Sequence, residues 1–275
     1  MTESILSHES GIRASLFVGI FLAMAIWEVI APCRRQERAR AFRWPSNLAI
    51  VVLDTLVVRL LFRTAAVGVA LIVSERGWGI MNVIPLPYPV AVVLSVVLLD
   101  LAIYAQHVLF HYVPAFWRVH RMHHADTEID VTTGVRFHPI EIVLSILIKF
   151  AVIALLGAPA LAVLVFEVLL NATSMFNHSN IQISNRWDVL LRWIIVTPDM
   201  HRVHHSTIEQ ETNSNFGFNL PWWDRLFRTY RAQPQLGHQG MTIGLEIFRD
   251  RTELRLDRML SQPFRSEPSV QLSST

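Results

Sequence analysis

A single cysteine in 275 residues, Cys33, excludes an internal disulfide and any thiolate metal cluster, so histidine must carry any metal this chain binds. Lysine is as scarce: Lys149 is the only one among 24 basic residues. Charged residues make up 17% of the chain and the formal net charge is +2, too small and too scattered to suggest a nucleic-acid surface. No Gly/Ser or Pro-rich linker and no repeat of whole elements divides the sequence, which favours one polytopic domain. Also missing are a glycine-rich dinucleotide fingerprint, an HEXXH motif and the Glu-x-x-His motif of soluble carboxylate-bridged metal bundles. What is abundant is hydrophobic side chains, at 52%, which points to a membrane protein.

A hydrocarbon core about 30 Å thick needs about 20 mostly apolar helical residues. Residues 15–31 qualify, and without a cleavage-site pattern they read as a retained span with RRQERARAFR as its stop-transfer flank. Residues 47–73 form a long apolar run interrupted by Asp54, Arg59 and Arg63, expected as a tilted span or a helix lining a polar interior. Gly77, Gly79, Pro85, Pro87 and Pro89 mark residues 74–89 as a loop, and residues 90–110 form the next span. Two shorter runs, 140–156 and 161–176, are joined by Gly157, Ala158 and Pro159 as a helical hairpin. The expected architecture is an all-α integral membrane protein with about four transmembrane helices, or two plus re-entrant hairpins, and a cytoplasmic helical cap. Its expected division is an N-terminal transmembrane region at 1–89, a histidine-box domain at 90–232 and a C-terminal cytoplasmic tail at 233–275.

Arg34, Arg35, Arg38, Arg40 and Arg43 follow the first span and should stay in the cytoplasm. The loop around Gly77 then lies outside, the span from Val90 returns inward, and the hairpin goes out and back. Every clustered histidine thus falls on the cytoplasmic side of what is expected to be a bacterial cytoplasmic membrane.

Those histidines are the unusual part of the sequence. HRMHH at 120–124 recurs almost unchanged as HRVHH at 201–205. His120, His123 and His124 stand at i, i+3, i+4, as do His201, His204 and His205, while His107 and His111 form an i, i+4 pair, so each set shares a helix face. Neutral imidazole binds first-row metals, and a tetrahedral zinc site uses only four groups, so eight imidazoles point to two metals. Without a metal, packed imidazoles repel when protonated and leave nitrogens unpaired when neutral. His8 and His238 have no partner at helical spacing and read as ordinary surface or core residues.

Asp100, seven residues before His107, shares a helix face with it and with His111, and Tyr104 lies between them. An aspartate deep in a span needs a reason, and the expected one is a hydrogen bond from a ligand imidazole. Asp126, Glu128, Asp199, Glu209 and Asp224 are further carboxylates that could orient the rings. Asn213 and Asn215 read first as turn residues, and Trp222 and Trp223 as interfacial anchors. His138, before Pro139, is balanced between a helix cap and a site residue.

Together with RFHPIE at 136–141, NHSN at 177–180, TPDMHRVHHS at 197–206 and NFGFNLPWWDRLFRTY from Asn215, the boxes resemble the fatty acid hydroxylase and sterol desaturase superfamily over residues 100–230. The resemblance implies a non-haem dimetal centre, two irons with zinc as the alternative occupant. Such a centre uses dioxygen to hydroxylate or desaturate an unactivated C–H bond of a membrane lipid such as a fatty acyl chain, sterol or ether lipid. It also adds His178 as a ninth ligand, while Asn215, read first as a turn residue, is a possible site residue through a hydrogen bond near the rings. Arg228 departs from the family pattern, where glycine is expected, and that bears on the local turn.

An external electron donor, such as a ferredoxin, a small haem protein or a reduced pterin, completes the expectation. A zinc-dependent membrane hydrolase would need fewer histidines and a catalytic glutamate, and a metal transporter would place its ligands near the bilayer midplane. Lys149 and Glu167 stand nine residues on either side of Ala158, at equal depth in the hairpin, and are expected to pair.

Overall fold

The computed structural model describes residues 2–266, with side chains from residue 5 onward; the last part of the expected tail, 267–275, lies outside the described residues. Regular structure among the described residues is entirely helical, and the only β pairing is two isolated bridges, Pro32 with Ile181 and Ser206 with Ile243. The elements that position the site are α1 (Glu9–Ile30), α2 (Arg40–Leu61), α3 (Ala66–Glu75), α4 (Tyr88–Tyr112), α5 (Pro114–His124), α6 (Pro139–Leu156), α7 (Ala160–Asn177) and α8 (Pro198–His204).

Five helical stretches among the described residues are long and apolar enough to cross a membrane: Glu9–Ile30, Arg40–Val83, Tyr88–Tyr112, Pro139–Leu156 and Ala160–Asn177. Both hairpin arms reach 18 residues, about 27 Å of helix. The outward faces of the five stretches carry large apolar side chains such as Leu22, Ile26, Leu56, Val93 and Leu155, as a lipid-facing surface requires.

The run at 47–73 is not one unbroken helix. Helix α2 starts earlier, at Arg40, and ends where Phe62 turns extended; α3 restarts at Ala66. The break lets the small residues Ala66, Val67 and Ala70 of α3 pack against Ile153 and Leu156 of α6 and Ala160 and Val163 of α7. Gly157 caps α6 at φ +68°, a left-handed conformation that glycine reaches without a β-carbon clash. The pair expected across the hairpin is present, with Lys149 Nζ 2.9 Å from Glu167 Oε1, and Arg13 of α1 adds a third charge 3.0 Å from Oε2.

The C-terminal ends of α1, α4 and α7 and the N-terminal ends of α2 and α6 meet on one side. Glu28, near the end of α1, accepts from the backbone amides of Val131 and Asn180 at 2.7 and 2.9 Å. Arg43 is not a free cytoplasmic charge: fully buried, it holds Asp126 and Asp130 at 2.6 Å each. Burial works against ionisation of Asp130, but Arg43 outweighs it and brings this carboxylate down to about 2. Asn47 donates to Thr132 at 2.9 Å, so α2 fixes the stretch that follows the first box. Residues further along close over α5, with Arg118 Nε donating to Pro263 O at 2.8 Å and Arg121 Nη2 to Gln262 O at 2.6 Å.

Candidate metal centre

The last two turns of α4 carry His107 and His111, α5 carries His120, His123 and His124, and α8 carries His201 and His204 with His205 as its C-cap; His178 caps α7. All nine are buried. They fall into two adjoining groups able to hold a metal: His107, His111, His120, His124 and His204 in one, and His123, His178, His201 and His205 in the other. Successive helical residues point about 100° apart, so neighbours within each box separate. His124 and His204 face the first group, and His123 and His205 the second. Each HxxHH box therefore feeds both groups, giving an i, i+4 pair to one and a single ring to the other.

Six of the nine rings are oriented by a hydrogen bond donated from Nδ1. The acceptors are Phe216 O for His107 (2.8 Å), Asn213 Oδ1 for His111 (3.1 Å), Glu141 Oε1 for His120 (2.7 Å), Arg136 O for His123 (3.0 Å), Ser174 O for His178 (2.7 Å) and Ser214 O for His204 (2.8 Å). With Nδ1 carrying the proton, Nε2 is left as a lone pair. These lone pairs turn on one another: Nε2 of His107 lies 3.2 Å from that of His120, and Nε2 of His178 lies 3.1 Å from that of His123 and 3.0 Å from that of His201.

Two lone pairs at that separation repel unless a cation lies between them. The rings do not supply the charge themselves, since burial pushes both His178 and His204 down to about 3. Both ring nitrogens of His124 and His205, and Nε2 of His111 and His204, are buried without a hydrogen-bond partner among the described residues. Within each group the donor atoms lie within 4.8 Å of one another, close to the about 4.2 Å that separates opposite ligands 2.1 Å from one ion. The donor set therefore fits two metal ions held by nitrogen.

The other expected site residues lie one layer away, and several act otherwise than expected. Asp100 touches no imidazole; it accepts from the amides of Asn219 (3.3 Å) and Leu220 (3.2 Å) and from Trp223 Nε1 (2.8 Å). It anchors the 215–220 loop, whose Phe216 carbonyl orients His107, because residues 219, 220 and 223 fold back against the middle of α4 and bring their N–H donors to this carboxylate. Asp224 clamps the same loop through Oδ1 to the Phe216 amide (2.8 Å) and Oδ2 to the Gly217 amide (2.9 Å). A β-carbon at Gly217 would sit 2.7 Å from that Oδ2, so glycine is needed for the approach. Asn215, at φ +51°, donates to Met200 O and Arg231 O and also clips the loop. Tyr104 pairs its hydroxyl with Thr229 at 2.9 Å. His138 is a helix cap, its Nδ1 accepting from the Ile140 amide at 3.1 Å while Nε2 faces Leu260 O.

Trp223 is thus a loop clamp and not simply an anchor, whereas Trp222 is exposed and donates to Trp193 O. Asp126 is tied to Arg43, Asp199 to Arg202 and Glu128 to the amides of Glu37 and Arg38, while Glu209 is exposed. The carboxylate that meets a clustered imidazole is Glu141, in the first turn of α6. Its signal was present in RFHPIE, as an acid placed just past the cap where the helix returns to the site. Arg228 adopts φ +62°, so the turn expected of glycine is kept by arginine.

A cavity of about 590 Å³ abuts the centre, with His107 and His120 in its wall. It extends between α1, α2, α6 and α7, away from the boxes, and reaches Arg13 and Lys149.

This arrangement defines an all-helical membrane-type protein with two histidine groups able to hold metal beside a cavity between its apolar helices. The fatty acid hydroxylase family matches residues 92–229, half of the chain, and the chain belongs to that family. Ornithine lipid hydroxylase OlsE of Rhizobium tropici is 33% identical over 149 residues, 54% of this chain and 44% of that protein. Alkylglycerol monooxygenase of Xenopus tropicalis is 27% identical over 173 residues (62% and 38%), and that of Homo sapiens 28% over 152 residues (54% and 32%). The match thus spans less than half the length of each of these relatives. No solved structure matches the chain.

Proposed function

We propose that this protein is a dioxygen-dependent membrane lipid hydroxylase whose two histidine groups each hold an iron ion. The observation that carries the reading is the convergence of nine buried imidazoles into two groups, within each of which the donor nitrogens lie within 4.8 Å of one another. When bound, the metal pair supplies the redox chemistry that activates dioxygen toward an unactivated C–H bond. The chain's own part is to fix the rings through their Nδ1 bonds, to exclude water by burial, and to present a lipid group through the cavity wall at His107 and His120. The relatives named as an ornithine lipid hydroxylase and an alkylglycerol monooxygenase support hydroxylation of a polar-headed lipid over desaturation. Electrons come from an external donor, a ferredoxin, a small haem protein or a reduced pterin. The metal ends of the spans face the cytoplasm, in keeping with the arginines at 34, 35, 38 and 40 on that side.

The test is metal analysis of the detergent-purified protein, followed by lipid mass spectrometry under ¹⁸O₂ with a chemical reductant. Two irons per chain and a lipid product heavier by one ¹⁸O atom are expected. Stoichiometric zinc with a hydrolysed product would overturn the reading in favour of a hydrolase, and metal without any lipid product in favour of a transport protein.

A further inference from the structure

The short helix Asn185–Leu191 is built inside out. Asp188 and the C-cap Arg192 are buried and paired, while Trp187 and Leu190, at i and i+3 on one face, are exposed, as are Val189, Trp193 and Ile194. A helix on a water-facing surface has the opposite arrangement. A second stretch extends the patch with Trp222, Leu226 and Phe227, all exposed. The two stretches are tied together. Trp222 Nε1 donates to Trp193 O at 2.8 Å, Arg225 Nη2 donates to Arg192 O at 3.0 Å, and the Arg225 guanidinium lies 4.0 Å from the Trp193 ring centroid. Phe227 stacks on Tyr104 of α4 with ring centroids 5.5 Å apart, so the patch adjoins a helix long and apolar enough to cross a membrane.

The turn at 219–223 sets the level of this patch. Asp100, which binds the amides of Asn219 and Leu220 and Trp223 Nε1, stands seven residues before His107, about 10 Å along α4 from the metal end. On its other side Asn219 meets Thr173, four residues before the end of α7. The turn therefore lies within the length of two apolar helices and not beyond their ends. The charges that rim the patch have one sign. In 185–194 and 221–231 the acids Asp188 and Asp224 are buried, whereas Arg186 and Arg228 are exposed and Arg225 and Arg231 half-buried. Exposed tryptophans, aliphatic side chains and a basic rim are complementary to the headgroup–acyl boundary of an anionic leaflet. We propose that residues 186–194 and 222–228 form a platform embedded in the leaflet at the metal end, its apolar side chains in that boundary and Arg186 and Arg228 on the phosphates of anionic lipids. In sequence the platform brackets α8 and the 215–220 loop, so the same contact seats the second HxxHH box against the bilayer. The inference is independent of which metal the boxes hold.

The test uses the full metal-loaded chain in a Cys33→Ser background, reconstituted in nanodiscs of phosphatidylcholine and phosphatidylglycerol. One nitroxide at a time is placed on Leu190→Cys, Ile194→Cys or Leu226→Cys. Leu56→Cys on the outward face of α2 and Gln210→Cys on the exposed side of the turn after α8 are the references. Collision with oxygen and with a water-soluble nickel chelate places each label. The three platform labels are expected about 5–10 Å into the headgroup–acyl boundary, protected from nickel as residue 56 is. Nickel access equal to that at residue 210 overturns the proposal. So does exclusion of both reagents with dipolar broadening between labels, which would put a second copy of the chain on the patch. The three positions are exposed and labelled separately, so loss of one variant to misfolding leaves the test standing. The rim is read from a fluorophore at residue 190 quenched by brominated phosphatidylglycerol or brominated phosphatidylcholine. Arg186→Gln and Arg228→Gln should each lower the preference for the anionic lipid about fivefold, the effect of one basic residue near an anionic surface. An unchanged preference in both overturns the headgroup assignment.

Discussion

Glu141 Oε1 lies 2.7 Å from Nδ1 of His120, and this is the one carboxylate–imidazole contact in the histidine cluster among the described residues. It reaches from the first turn of α6 to α5, so the hairpin and the first box are coupled through one proton. An imidazole whose Nδ1–H is held by a carboxylate is a stronger and better-aimed Nε2 ligand. Glu141→Gln keeps an acceptor but loses the charge, while Glu141→Ala loses both. We expect metal affinity to fall about 10–100-fold in Glu141→Ala and less in Glu141→Gln, measured by competition with a graded series of chelators.

The two groups differ in size, and that difference has a measurable consequence. Removing His123 leaves three rings of a group of four, whereas removing His204 leaves four rings of a group of five. His123→Ala is expected to retain about one metal ion per chain where the proposal gives the wild-type protein two, since a structural four-coordinate site tolerates the loss of a ligand poorly. His204→Ala should retain both ions more nearly, with weakened affinity. Turnover should be lost in both. Metal analysis after gel filtration separates these outcomes, and equal metal loss in the two variants would contradict the partition.

Asp224 holds the 215–220 loop against the site, and burial pushes it up to about 6 despite the opposing bonds from Thr229, Gly217 and Phe216. The sign follows from linkage. Because the folded pKa is raised, the unfolded chain releases this proton first, so the group's contribution to stability falls as pH rises from about 4 to about 6 and is flat above. The stability of the wild-type protein relative to Asp224→Asn should decline across that window by a few kcal/mol at most. Thermal unfolding of both in detergent between pH 4 and 8 checks it.

Arg228 occupies a left-handed position, at φ +62°, and its side chain is exposed. A non-glycine residue there costs about 1–2 kcal/mol, partly offset by the larger unfolded-state entropy of glycine. Arg228→Gly should therefore stabilise the protein by roughly 0.5–1 kcal/mol without altering metal content. A lower melting temperature for the glycine variant would show that arginine makes compensating contacts.

The histidine boxes were legible because helical spacing is a local rule: i, i+3 and i+4 share a face whatever the rest of the chain does. Arg228 was flagged for a related reason, since a turn that demands positive φ leaves a mark on residue type, and the turn proved intact with arginine in it. The Lys149–Glu167 pair was legible from depth alone, as a charge in a span must find a partner. Arg13, a third member from another helix, left no comparable mark. Asp100 was expected to meet a ligand imidazole and does not, because whether it meets an imidazole or a loop amide depends on where residues 219 and 220 fold back.

The sequence by itself determined that this is a helical membrane protein with a nitrogen-rich site, because hydrophobicity and periodicity act over a few turns of one helix. Only the tertiary structure decided how the rings divide between two groups, that Glu141 and not Asp100 meets an imidazole, and that Arg43 braces the stretch after the first box. Those outcomes join residues as far apart as Arg43 and Asp130 or His123 and His205. Their proximity is set by how five helices pack end to end, and no local pattern encodes which donor will face which acceptor across that interface.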